Sequence, residues 1–198
     1  MEMKLFDKWD TGEIKVEDLG LKKYMNLSPM IIPRSFGRHD GISFHKAKMS
    51  IVERFINKLM VPGHKGKKHR ITSGKCCGNT PTIMREVEIA FEKIQKKTNQ
   101  NPVQIFIKAV ENSAPMEEIA AYRMGGTIAR KSVTVSPQRR LDLALRHLTQ
   151  AMYAASFGKK KSLSTVIAEE LMLAANNDKT SAAVMERARL EKEAEGSR

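Results

Sequence analysis

The segment from Pro115 to Arg140 restricts the fold of this chain more than any other. Ile119, Ala121 and Arg123 alternate with Ala120 and Tyr122, Gly125-Gly126 follows, and Ile128 to Val135 returns rich in β-branched residues. Period-two runs on either side of two glycines predict a two-stranded hairpin over 117–135, because glycine supplies the positive φ angles of a tight turn. Ser136-Pro137 then opens a helix. No carboxylate stands between Glu118 and Asp142, whereas Arg123, Arg130 and Lys131 lie on the arm and Arg139 and Arg140 at its root. An isolated hairpin is marginal in water, so a protruding basic one implies a partner that holds it, and a polyanion matches its charge.

Around that arm the apolar pattern is helical. Val52, Phe55, Ile56 and Leu59 give a helix over 46–60, stopped by Pro62-Gly63. Ile83, Val87, Ala90, Phe91 and Ile94 trace a second behind a Thr80-Pro81 start, and Val103, Phe106, Ile107 and Val110 a third behind Asn101-Pro102. Leu141, Ala144, Leu145, Leu148 and Met152 form the stripe of a fourth, and Leu163, Val166, Ile167, Leu171 and Ala174 that of a fifth after Ser162. Phe55, Phe91 and Phe106 are predicted core. The fold class is all-α: a bundle of five to six helices with a protruding two-stranded β-hairpin arm. Residues 1–44 read as an extended N-terminal extension, acidic at first and irregular from Leu27 to Gly41. Residues 45–178 read as the helical RNA-binding domain, and 179–198 as a mobile, partly helical tail thin in large apolar residues.

Charge narrows the partner. The 198 residues hold 35 Lys and Arg against 22 Asp and Glu, a net charge of +13, and the 41% hydrophobic content suffices for a core. Beside the arm, the acid-free loop 63–79 carries Lys65, Lys67, Lys68, Arg70 and Lys75; Arg146 follows on the fourth helix, and Lys159, Lys160 and Lys161 follow Gly158. These clusters fall at turns and helix ends, where phosphates also meet free backbone N–H groups. Tyr122 either stacks on a base or packs on the hairpin itself.

No apolar run approaches the roughly 20 residues of a membrane span, and acidic residues within Met1 to Lys15 argue against a leader, so no membrane partner is expected and the chain reads as cytoplasmic. Its two cysteines, Cys76 and Cys77, are neighbours, which fits a reducing compartment. With His64 and His69 they are the residue types of a zinc site, but the spacing matches no finger and a plain basic loop is preferred; metal analysis of the purified protein decides. Glu86 with Glu88, and Glu169 with Glu170, read as solvated rather than catalytic pairs. No phosphate-cradling glycine motif occurs. Neither enzyme activity, cofactor nor metal is expected.

The order of features resembles a known family. Asn101-Pro102 through Ala109-Val110-Glu111-Asn112, then Gly125-Gly126, Val133-Thr134-Val135-Ser136-Pro137, Arg139-Arg140, Ala144-Leu145-Arg146 and Ile167-Ala168-Glu169-Glu170-Leu171 are similar to the universal small-subunit ribosomal protein number seven, over about residues 45 to 176. The N-terminal extension and long lysine-rich loop look like its archaeal and eukaryotic branch. The resemblance implies a protein that binds the 3′ major domain of small-subunit ribosomal RNA directly and nucleates the subunit head. It implies a hairpin near the exit site, beside messenger and transfer RNA, with ribosomal proteins number nine and eleven as neighbours. The family's arm and helix-start arginines map onto Arg123, Arg130, Arg139, Arg140 and Arg146. Its C-terminal lysine cluster is replaced here by Thr180 to Val184 and by Glu186, Glu191, Glu193 and Glu195 among basic residues. Two other readings stand beside it. A DNA-architectural protein could use the same basic arm in a minor groove, and an RNA-modifying enzyme would need a pocket the sequence does not announce.

Overall fold

Phe55, Phe91 and Phe106 come from three different helix stripes and meet at the centre of the molecule, with ring centroids 5.1 Å apart for Phe55 and Phe106 and 6.0 Å for Phe91 and Phe106. Short helices are marginal alone in water, so this shared aromatic burial is what stabilises them together. The structure, a computed structural model, describes residues 3–62, 64–65, 68–69, 76 and 78–198, with the side chains of 64, 65, 68 and 69 outside the description.

In chain order the elements are α1 (Leu19–Lys22), a 3₁₀ turn (His45–Lys48), α2 (Ile51–Met60), β1 (His64–Lys65), β2 (Lys68–His69), α3 (Thr80–Thr98), α4 (Pro102–Asn112), β3 (Glu117–Met124), β4 (Thr127–Thr134), α5 (Pro137–Ser156), α6 (Leu163–Ala175) and α7 (Ala182–Glu195). The all-α bundle with its hairpin arm is therefore the observed fold. Every stripe residue predicted for α2 to α6 is buried, and α6 packs against α3, α4 and α5. Side chains of Asn79, Asn101 and Ser162 accept from Thr82 N, Val103 N and Thr165 N, which caps α3, α4 and α6; the cap of α3 thus falls one residue before Thr80. Among the described residues no helix is long and apolar enough to cross a membrane.

Several expectations give way to tertiary contacts. The helix predicted over 46–60 begins only at Ile51, because Ser50 forms a parallel bridge with Asn26, and Ile51 N donates to Asn26 O at 3.1 Å, holding the preceding chain extended. Loop 63–79 contains a two-residue antiparallel ladder, His64 opposite His69, too short for any periodicity to reveal. The predicted tail is a docked helix: α7 buries Ala183, Val184 and Ala194 and packs on α5 and β3. Two of the glutamates expected in solvent instead cap the starts of other helices. Glu170 is buried and accepts from Ser181 Oγ at 2.8 Å and Ala183 N at 3.2 Å, starting α7, while Glu86 Oε2 accepts from Ser164 N at 2.9 Å in the first turn of α6.

The N-terminal extension is strapped to the body. Trp9, 4% exposed, stands edge-on to Phe91 at 5.7 Å, and its Nε1 donates to Gln95 Oε1 at 2.8 Å. Lys8 Nζ reaches Glu88 and Glu92 at 2.5 Å, Lys15 and Gln104 exchange two hydrogen bonds, and Asp18 N donates to Glu111 Oε1 at 2.9 Å. The acidic segment so follows α3 and α4 in turn.

Candidate nucleic-acid interface

The arm is an antiparallel ladder from Glu117 opposite Thr134 to Met124 opposite Thr127. Gly125 has φ +60° and Gly126 does not have a positive φ, so one glycine, not two, carries the left-handed backbone, as in a type II′ turn. Opposed residues share a face and successive residues alternate. One face therefore presents Arg123, Ile128 and Arg130, and the other Tyr122, Met124, Lys131 and Val133. Arg123, Arg130 and Lys131 are exposed and form no ion pair among the described residues. Tyr122, Met124 and Ile128 are also exposed, so Tyr122 is not sealed against the hairpin.

At the root the two predicted arginines have other partners. Arg139 grips Glu118 with two bonds, Nε to Oε1 at 2.5 Å and Nη2 to Oε2 at 2.7 Å, and this hydrogen bonding raises its pKa above the ordinary arginine range. Arg140 is 9% exposed; its Nη2 lies 2.8 Å from Asp18 Oδ2, and its Nε donates to Pro115 O at 3.2 Å. The Arg140 guanidinium, expected from the sequence to meet a phosphate, is buried here and joins α5, the segment before the arm and the cap residue of α1. Arg139 is half committed in the same way. The carboxylate that sequence distance hides, Asp18, comes from over a hundred residues away.

The remaining clusters divide. Arg146 is exposed on α5, Lys159 and Lys160 are exposed after α5, and Lys161 pairs with Glu169 at 2.9 Å while staying half exposed. Lys67, Arg70, Lys75 and Cys77 lie outside the described residues, as do the side chains of Lys65, Lys68, His64 and His69, and Cys76 is buried in the core. A groove of about 630 Å³ runs at the foot of the arm, with Lys58, Arg139, Arg146 and Gln150 in its lining. Lys58 is invisible to a search for basic runs because the other cation of α2, Arg54, stands four residues away and is paired with Asp142. Its ammonium is held below the usual 10.5, chiefly by burial and then by Arg146 and Lys46, with Asp142 opposing. Burial, more than the neighbouring cations, sets that direction, and Glu118 and Glu186 also line the groove.

A helical body whose acids pair at the foot of a projecting cationic arm has the charge layout of a nucleic-acid-binding protein. Residues 21–198 match the model of the family described as ribosomal protein S7p/S5e. The chain is 44% identical over 198 residues, all of both chains, to the small ribosomal subunit protein uS7 of Nanoarchaeum equitans. It is 44% identical over 194 residues to that of Cenarchaeum symbiosum, covering 98% of this chain and 96% of the relative. It is 42% identical over 188 residues to that of Methanosphaera stadtmanae, covering 94% of each. The chain belongs to the S7p/S5e family of small-subunit ribosomal proteins, and is structural rather than enzymatic.

Proposed function

We propose that this protein binds the 3′ major domain of small-subunit ribosomal RNA directly and nucleates assembly of the subunit head, with its hairpin reaching toward messenger and transfer RNA at the exit site. The observation that carries the proposal is the division of charge along one hairpin: both carboxylates of β3 are paired at the root, and the ladder beyond them keeps Arg123, Arg130 and Lys131 exposed without a carboxylate. The turn at Gly125 and Gly126 adds backbone with no side chain to hold a phosphate or base away. On the body, Arg146 with Lys58 and the Lys159–Lys161 turn extend the same sign, and Lys65, Lys67, Lys68, Arg70 and Lys75 would add a third contact. Arg139 serves by holding the arm's angle more than by touching RNA. Ribosomal proteins number nine and eleven are the proposed protein neighbours.

Folded ribosomal RNA offers phosphate density and shape that a rigid body with an arm clamps at several places at once. The test is a filter-binding titration of the purified chain against the 3′ domain, with unrelated structured RNA and duplex DNA as competitors, repeated over a salt series. Tight binding that survives the competitors and falls steeply with salt supports the proposal. Equal affinity for all three nucleic acids would replace it with generic polyanion binding and favour an architectural role on DNA.

A further inference from the structure

The segment 31–49 presents an apolar and cationic surface that the helical body does not use. Ile31, Ile32, Phe36, Ile42 and Phe44 are all exposed, Phe44 at 96%. Both phenylalanines stand on left-handed backbone, with φ 52° at Phe36 and 63° at Phe44. Bulky side chains rarely adopt that conformation, and where strain holds an aromatic ring out in water a partner is the usual reason. Arg34 lies 4.9 Å from the Phe36 ring centre, and Arg38 and Lys48 stand nearby in the chain against the single acid Asp40. Phe44 forms part of the wall of a cavity of about 420 Å³, with Ile42, Met49, Asn57, Lys58 and Leu145 among its other walls. Lys58 also lines the groove at the foot of the arm beside Arg146, so pocket and groove share a wall.

We infer that this pocket receives one unpaired base of RNA, stacked on Phe44, from a strand whose phosphates pass Arg146 and Lys58. The inference rests on the RNA binding proposed above and adds a base-reading contact to it. Every base has a π face that a phenyl ring accepts, the amide of Asn57 offers both a donor and an acceptor to a base edge, and the pocket's volume is ample for one nucleobase. RNA is favoured over an apolar protein partner because the cations lining pocket and groove outnumber the carboxylates there, Asp40 and Asp142 in the pocket and Glu118 and Glu186 in the groove, so an apolar partner would bury an excess of positive charge.

The full-length chain tests this with two variants at one position. Phe44→Ala removes a ring that touches almost nothing in the free protein, so folding is not at stake, and it should weaken binding to the ribosomal RNA 3′ domain about 5- to 100-fold. The salt slope should not change, because no charge is lost. Phe44→Trp should keep the affinity, and its indole fluorescence should be quenched on titration with RNA, against a constant background from buried Trp9. Wild-type affinity for Phe44→Ala together with an unquenched indole overturns the inference while leaving RNA binding by the arm intact. A wild-type chain that fails to bind RNA overturns both.

Discussion

The root and the tip of the arm belong to the same two strands, yet they are built on opposite rules. At the root, Glu117 meets Arg198 at 2.6 Å and Ser132 Oγ at 3.0 Å, Glu118 is gripped by Arg139, Met116 N donates to Glu191 Oε1 at 3.0 Å, and Val135 is buried. Toward the tip, three cations meet no acid among the described residues, and Tyr122, Met124 and Ile128 face solvent. Charges matched in number hold the chain to itself; charges of one sign wait for another molecule. Root and tip should therefore separate experimentally, the root moving stability and the tip moving affinity.

The largest effect expected is at the tip. Replacing Arg123, Arg130 and Lys131 together by alanine should weaken binding to ribosomal RNA by about two orders of magnitude at low salt and flatten the log–log salt dependence by about 2 to 3, since each cation releases counterions from one phosphate. Thermal stability should hardly move, because exposed side chains without partners contribute little to folding. A lowered Tm for this triple variant would break the comparison by showing that the tip also holds the fold. The reverse is expected of Arg140→Met, which strands Asp18 and the carbonyl of Pro115 in a largely buried junction. A loss of about 2–3 kcal/mol and a Tm several degrees lower should follow, read by calorimetry, with the salt slope of RNA binding unchanged.

Gly125→Val should act more weakly and more locally. A Cβ placed at this position would meet nothing within 4 Å, so crowding is irrelevant and the φ of +60° alone opposes the branched side chain, at a cost of about 1–2 kcal/mol. Circular dichroism should show the helix content retained, while affinity falls less than in the triple variant because the cations remain. Gly126, with neither a positive φ nor a near neighbour, should accept alanine, and a matched loss there would show that the turn type is not what places the arm.

What was legible in the sequence followed from local rules. Helix stripes such as Ile83, Val87 and Phe91 repeat at a spacing that only one element satisfies, and the alternation around Gly125 does the same for the arm, so fold class and element order could be read directly. What was hidden depends on distance in the chain. Trp9 sits in an acidic segment with no helical or strand period to betray it, yet it packs on Phe91. Glu170 looks like any solvated helix glutamate until Ser181 turns back onto it. Arg139 and Arg140 read as one basic pair, whereas their partners Glu118 and Asp18 arrive from different elements and leave fewer unpaired cations at the foot of the arm than the sequence suggested. Large apolar residues, the usual mark of a docked helix, are few in α7, but small ones such as Ala183 and Ala194 bury well where helices approach closely.

The smallest expected effect sharpens the same contrast in acid, where carboxylates of the body titrate and the tip has none. Asp142, in the second turn of α5, would be raised by burial, but Lys46 at 2.7 Å and Arg54 at 3.0 Å outweigh burial and hold it below its ordinary 3.8. A carboxyl depressed in the folded state contributes stability that is fully present above the unfolded value and is lost as pH falls through the folded one. Glu111 runs the other way: burial lifts it above 4.5 despite the N–H of Asp18, so its contribution is present below that value and fades as pH rises through the folded pKa. Thermal unfolding between about pH 6 and pH 3 should thus decline less steeply toward acid for Asp142→Asn than for the wild type, and more steeply for Glu111→Gln. The triple tip variant should track the wild type across the whole range, since the three side chains it removes pair with no carboxylate among the described residues. A tip variant with its own acid dependence would mean that Arg123, Arg130 or Lys131 finds a carboxylate after all, and the arm would then be holding to the body along its whole length.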